Sequence, residues 1–138
     1  MKTDHLHITV MAVVIVLLAS AAFQRNGLWV TKLSLWTDVA RKTPDKSRVR
    51  NSLGNCYMLL GDYFRAVEEY KAAIALDKTN YEAYFNLANN LEQIGLGREA
   101  LGYYSFFCTA APRAYPEATQ TACERVERLR GVPSTPGK

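Results

Sequence analysis

The amino-acid sequence predicts an all-α chain, with an N-terminal transmembrane helix followed by a short α-solenoid. Three observations carry this. No Asp, Glu, Lys or Arg occurs between Asp4 and Arg25. The remainder repeats itself at a spacing of 34 residues, as shown below. Only 8 Gly and 5 Pro interrupt 138 residues, and 49% of the residues are hydrophobic, which excludes collagen-like, mucin-like and disordered chains. The length suits one small domain plus an appendage.

Residues 1–24 are the short tail and the expected anchor. Residues 8–23 read ITVMAVVIVLLASAAF, in which only Thr9 and Ser20 are polar. As a helix this core spans about 24 Å, slightly short of a ~30 Å hydrocarbon layer. His5, Leu6, His7 and Gln24 would extend it, and Arg25 would snorkel to the headgroups. Trp29 and Trp36 follow, and with Arg25 they form the expected membrane-interface set. The competing reading is a cleaved signal peptide with Lys2 as its basic start and Ala19-Ser20-Ala21 as its cleavage site. An uncleaved anchor is preferred.

Charge is unevenly placed. Arg25, Lys32, Arg41, Lys42, Lys46, Arg48 and Arg50 stand against Asp38 and Asp45, a net charge of +5 over residues 25–50. Residues 51–112 carry four basic and seven acidic groups, a net charge of −3. Such a collar beside an apolar segment suits anionic lipid headgroups. No aromatic–basic surface motif accompanies it, so no nucleic-acid partner is expected.

The soluble part is built from two blocks of 34 residues, 47–80 and 81–114. Aligned, they place Leu53-Gly54 over Leu87-Ala88 at positions 7 and 8, and Gly61 over Gly95 at position 15. Ala66 lies over Ala100 at position 20, Tyr70 over Tyr104 at position 24, and Ala73 over Phe107 at position 27. Pro112 occupies position 32 of the second block, where Lys78 stands in the first. This pattern of small, aromatic and turn residues resembles the tetratricopeptide repeat. The resemblance implies paired antiparallel helices, A and B, with small residues at their crossing and a glycine turn between them. One such hairpin cannot cover its own apolar face, so stacking and capping are required. Residues 25–46 supply a half repeat, with Leu33, Trp36, Val39 and Pro44 at B-helix positions. Residues 115–131 supply a capping helix with Ala118, Ala122, Val126 and Leu129 on one face. Its Glu117, Glu124, Glu127, Arg125, Arg128 and Arg130 are expected to be solvated. Residues 132–138 form a flexible tail.

The junction between anchor and repeats is similar to that of membrane glycosyltransferase-like proteins with C-terminal tetratricopeptide repeats. The matching residues are Arg25, Asn26, Leu35-Trp36-Thr37-Asp38, Thr43-Pro44 and Asn51-Ser52-Leu53-Gly54. The resemblance implies a single-pass protein of a bacterial inner membrane with its repeats in the periplasm. The flanking Arg25, Lys32, Arg41 and Lys42 favour the cytoplasmic alternative. The many-span catalytic part of that family is absent, so transferase activity does not carry over.

No enzyme activity and no cofactor or metal are expected. The chain lacks G-x-S-x-G, P-loop, H-E-x-x-H and C-x-x-C motifs. His5 and His7 sit at the start of the apolar segment, away from the carboxylates of the repeats, and an ordinary interfacial role suits them. Cys56, Cys108 and Cys123 have no zinc or haem spacing. Small buried thiols are the default, and antiparallel packing about the 112–115 turn leaves a Cys108–Cys123 bridge conceivable in an oxidising compartment.

A binding module remains. In a tetratricopeptide array, helix A positions 2, 5, 6, 9, 12 and 13 line the concave side. The expected groove residues are Arg48, Asn51, Asn55 and Met58 in the first repeat, with Ser52 and Leu59 beside them. The second repeat supplies Glu82, Phe85, Asn86, Asn89, Glu92 and Gln93. The asparagines resemble the ladders by which some such grooves hold a peptide backbone, since an amide donates and accepts at once. The expected function is a membrane-anchored adaptor or scaffold that binds an integral membrane or extracytoplasmic protein partner, with membrane lipids as a second partner. The alternatives are an accessory structural subunit of a larger membrane complex, or a non-catalytic accessory of a glycosyltransferase system.

Overall fold

A computed structural model describes residues 2–111, 113 and 115–131; within the first helix the side chains of residues 2–6, 8, 9, 22, 24–26 and 28–30 fall outside the description. Six α-helices follow one another: α1 Lys2–Lys42, α2 Ser47–Leu59, α3 Tyr63–Leu76, α4 Tyr81–Gln93, α5 Gly97–Ala110 and α6 Pro116–Gly131. Helices α2 and α3 form one A–B hairpin, α4 and α5 the next, and each helix packs chiefly on its sequence neighbours. This is the all-α solenoid that the 34-residue period predicts.

Local chemistry sets the breaks. Gly61 and Gly95 both have φ of +81°, the left-handed turn that ends each A helix. Asp62 caps α3 by accepting from the Arg65 backbone N–H at 3.2 Å. Asn80 does the same for α4, accepting from Ala83 N–H at 3.2 Å. Its Nδ2 also donates to Ser47 Oγ at 2.8 Å, and Ser47 Oγ donates to the Ala73 carbonyl at 2.7 Å. These two bonds tie the start of α2 to the end of α3 and to the next repeat.

The core runs through both hairpins. Ala66, Tyr70, Leu87, Ala88, Leu91, Ala100, Tyr104 and Phe107 are buried in one cluster, with Ala122 and Val126 of α6 closing it. At position 8 of the first repeat, a Cβ on Gly54 would stand 2.7 Å from the Tyr70 ring. The helices therefore cross too closely there for any side chain. Helix α6 caps the last apolar face, as the sequence requires. Pro112 and the tail at 132–138 lie outside the described residues.

The N-terminal part differs from expectation. Helix α1 is a single rod with no break at the expected boundary near residue 24, and it continues through Thr31, Lys32, Ser34, Thr37 and Asp38. Among the described residues no helix is long and apolar enough to cross a membrane. The apolar stretch is about 24 Å of a much longer helix, short of the ~30 Å layer. The transmembrane anchor and the inner-membrane localisation with both of its sidedness alternatives are corrected accordingly. Of the expected interface set, Trp36 is half-buried, and the side chains of Arg25 and Trp29 lie outside the description.

Candidate functional site

The A helices α2 and α4 lie side by side, and their inward faces make a polar strip that α6 extends. On α4, residues Glu82, Phe85, Asn86, Asn89, Glu92 and Gln93 share one face at helical spacing. The strip is held by hydrogen bonds that repeat between the hairpins. Tyr70 Oη donates to Asn55 Oδ1 at 2.7 Å, and Tyr104 Oη donates to Asn89 Oδ1 at 2.5 Å. Both join position 24 to position 9. Asn86 links the repeats, its Nδ2 donating to Asn51 Oδ1 at 3.1 Å and to Asn55 Oδ1 at 3.2 Å.

These bonds use up one side of each amide and leave the other. Among the described residues, Asn55 Nδ2 and Asn89 Nδ2 have no acceptor, and Asn86 Oδ1 has no donor. The strip thus offers a donor, an acceptor and a donor in half-buried positions. That alternation suits the C=O and N–H groups of an extended chain.

The ends of the strip differ in charge. Near the N-termini of α2 and α4 lies a polar cleft of about 420 Å³, lined by Arg48, Asn51, Asp77, Thr79, Glu82 and Tyr115 among others. Hydrogen bonds from the Thr79 hydroxyl and N–H hold the Asp77 carboxyl below the usual carboxylate range. Tyr115 Oη donates to Glu82 at 3.4 Å, and desolvation followed by that carboxylate raises the Tyr115 phenol. At the far end Glu92 stands 3.0 Å from Tyr104 Oη, whose single proton it shares with Asn89 Oδ1; it accepts from Arg125 at 3.0 Å and also pairs with Arg128. Burial pushes the Tyr70 and Tyr104 phenols well above their usual 10, with Glu92 adding to the effect at Tyr104.

The expected groove residues sort into three groups. Asn55, Asn86, Asn89 and Glu92 are half-buried and joined to the strip by hydrogen bonds, while Arg48, Glu82 and Gln93 are exposed and Arg48 and Glu82 line the cleft. Asn51 is only 5% exposed and supports Asn86. Met58 packs on the core, and Phe85 meets Phe107 at 5.1 Å and Tyr104 at 6.1 Å between ring centroids, so both are chiefly structural. Arg125 and Arg128, expected to be solvated, keep side chains 37% and 53% exposed and also pair with Glu92 at the end of the strip. Their spacing on one helix face with a carboxylate opposite was the available signal. The recurrence of Asn at position 9 with Tyr at position 24 was another.

Cys108 and Cys123 form a disulfide with Cα atoms 5.2 Å apart, joining α5 to α6. The default of buried thiols holds only for Cys56, which is free and buried.

With this geometry in view, comparison with known proteins is informative. A family model described as TPR repeat matches residues 54–95. That segment is therefore similar to tetratricopeptide repeats. No curated protein matches it. Among solved structures it is similar to the Yersinia enterocolitica type III secretion chaperone SycD in complex with a peptide of the translocator YopD, with 21% identity, a TM-score of 0.72, and coverage of 80% of this chain and 88% of that one. It is also similar to PcrH in complex with the chaperone-binding region of PopD, with 20% identity, a TM-score of 0.71, and coverage of 78% and 82%. The TPR2B domain of yeast Sti1, in a complex with pHsp70, gives 14% identity, a TM-score of 0.68, and coverage of 80% and 89%. At these identities the likeness is one of fold.

Proposed function

We propose that the chain is a non-catalytic protein-interaction module, an adaptor or scaffold that holds an extended segment of a partner protein on the strip formed by α2, α4 and α6. The observation that carries this is the row of half-satisfied amides at Asn55, Asn86 and Asn89, pre-set by Tyr70, by Asn51 with Asn55, and by Tyr104 respectively. Because those partners fix one side of each amide, little side-chain entropy is left to lose on binding. That SycD and PcrH, similar in fold, form complexes with a peptide of YopD and with the chaperone-binding region of PopD supports a peptide-binding reading. The test is co-purification of partners with the full chain and with the triple variant Asn55→Ala, Asn86→Ala, Asn89→Ala. Loss of partners is expected; an unchanged partner set would sink the proposal.

A second mode is favoured by one observation. Val13, Ile15, Val16, Leu17, Leu18 and Phe23 of α1 are large, apolar and exposed. A role as a subunit packed through α1 into a larger assembly would cover them. Deleting residues 8–23 then removes partners that the triple variant retains.

A further inference from the structure

We propose that the strip is polarised along α4 and selects an extended peptide carrying a basic side chain at one end of its contact and an acidic side chain four residues away. This rests on the peptide-binding function above. The first end is the cleft beside Glu82. Asp77 and Glu82 there outweigh Arg48 by one formal charge, and the exposed Glu82 carboxylate faces the cleft. The opposite end is Glu92, a single carboxylate shared by Arg125 and Arg128, which leaves an excess of one positive charge and guanidinium N–H groups to spare. Asp77 and Glu92 are both already engaged, so the net charge of each end, not one residue, is what a ligand meets.

The spacing follows from helix geometry. Glu82 and Glu92 lie ten residues apart on one face of α4, about 15 Å at 1.5 Å per residue. An extended chain rises about 3.3 Å per residue, and residues i and i+4 point to the same side. Four residues cover about 13 Å, and the reach of a lysine or arginine stem supplies the rest. Between these ends the chain passes Asn86 and Asn89, whose free amide edges meet its backbone. Backbone contacts there set no sequence, so the two charged ends carry the selectivity. An internal segment is the committed occupant, recognised by side chains at both ends.

The experiment is selection from a display library of random nine-residue peptides, flanked by linkers at both ends, on the disulfide-bonded full chain. The Asn55→Ala, Asn86→Ala, Asn89→Ala variant serves as the counter-target. Enriched peptides are expected to carry Lys or Arg and Asp or Glu four positions apart. A synthetic selected peptide should lose about threefold to fivefold in affinity to Glu82→Gln, as an exposed ion pair would. That loss should vanish when its basic residue is made neutral. Arg128→Gln should act in the same way through the acidic residue only. Enriched peptides without spaced charges, or equal losses for charged and neutral peptides, would overturn the polarity and leave the peptide-binding function standing. Enrichment that needs a free C-terminal carboxylate would also overturn it. No enrichment over the counter-target would overturn both.

Discussion

At the residue scale, Tyr70 and Tyr104 do two jobs. Each fills the space between helices, and each orients an asparagine of the strip. Their ionisation links packing to pH. Burial raises both phenols above the usual 10, so the folded chain favours the neutral form. The stability this contributes is complete below the unfolded-state value near 10 and is lost as pH rises toward the folded-state value. Above pH 10, stability should fall by about 1.4 kcal/mol per pH unit for each phenol. Denaturant melts at several alkaline pH values would show this slope, and Tyr70→Phe should make it shallower by that phenol's share. Gly54 is a second test. A Cβ there meets the Tyr70 ring at 2.7 and 2.8 Å, so Gly54→Ala should cost about 1–3 kcal/mol and loosen the Asn55 bond. The alignment marked position 8 as a close crossing. It could not reveal that the first repeat is the tighter, since Gly54 and Ala88 are both simply small in the sequence.

At the element scale, the capping helix shows where sequence reasoning stopped. Its apolar face was legible from Ala122 and Val126, because burial leaves a periodic mark. The pairing of its Arg125 and Arg128 with Glu92 was not, because ion pairing depends on how α6 rotates over α5 and no periodicity records that. The Cys108–Cys123 bond was underweighted for a similar reason. Simple antiparallel counting about the 112–115 turn leaves the two cysteines about one helical turn apart, whereas the packing brings Cys123 to Cys108. Closing a loop of 15 residues contributes about 3 kcal/mol. A Cys108→Ser, Cys123→Ser double variant should lose about that much in denaturant unfolding. Hydrogen exchange should rise first in α6, while α2 and α3 stay protected. Helix α1 failed in the opposite direction. Its apolar run was plain in the sequence, but the helix continues unbroken past it, and among the described residues no helix is long and apolar enough to cross a membrane. A glycine turn behaves more simply. Gly61→Ala at φ +81° should cost about 1 kcal/mol, because an L side chain resists that conformation.

At the scale of the whole molecule, two hairpins and a cap place three asparagines, two tyrosines and two arginines along one surface. The 34-residue period made that architecture and most of the concave face readable in advance, since repeats carry their register in the sequence. What a partner would meet was less readable, because it depends on which half of each amide the tyrosines consume. The most direct measurement of the central claim is a ¹⁵N NMR titration of the full chain with a peptide selected on it, following the side-chain amide signals. Shifts are expected at Asn55, Asn86 and Asn89 with the Arg125 guanidinium, and little change elsewhere. Binding that leaves those amides unmoved and shifts residues around Phe64 or Phe106 would contradict it.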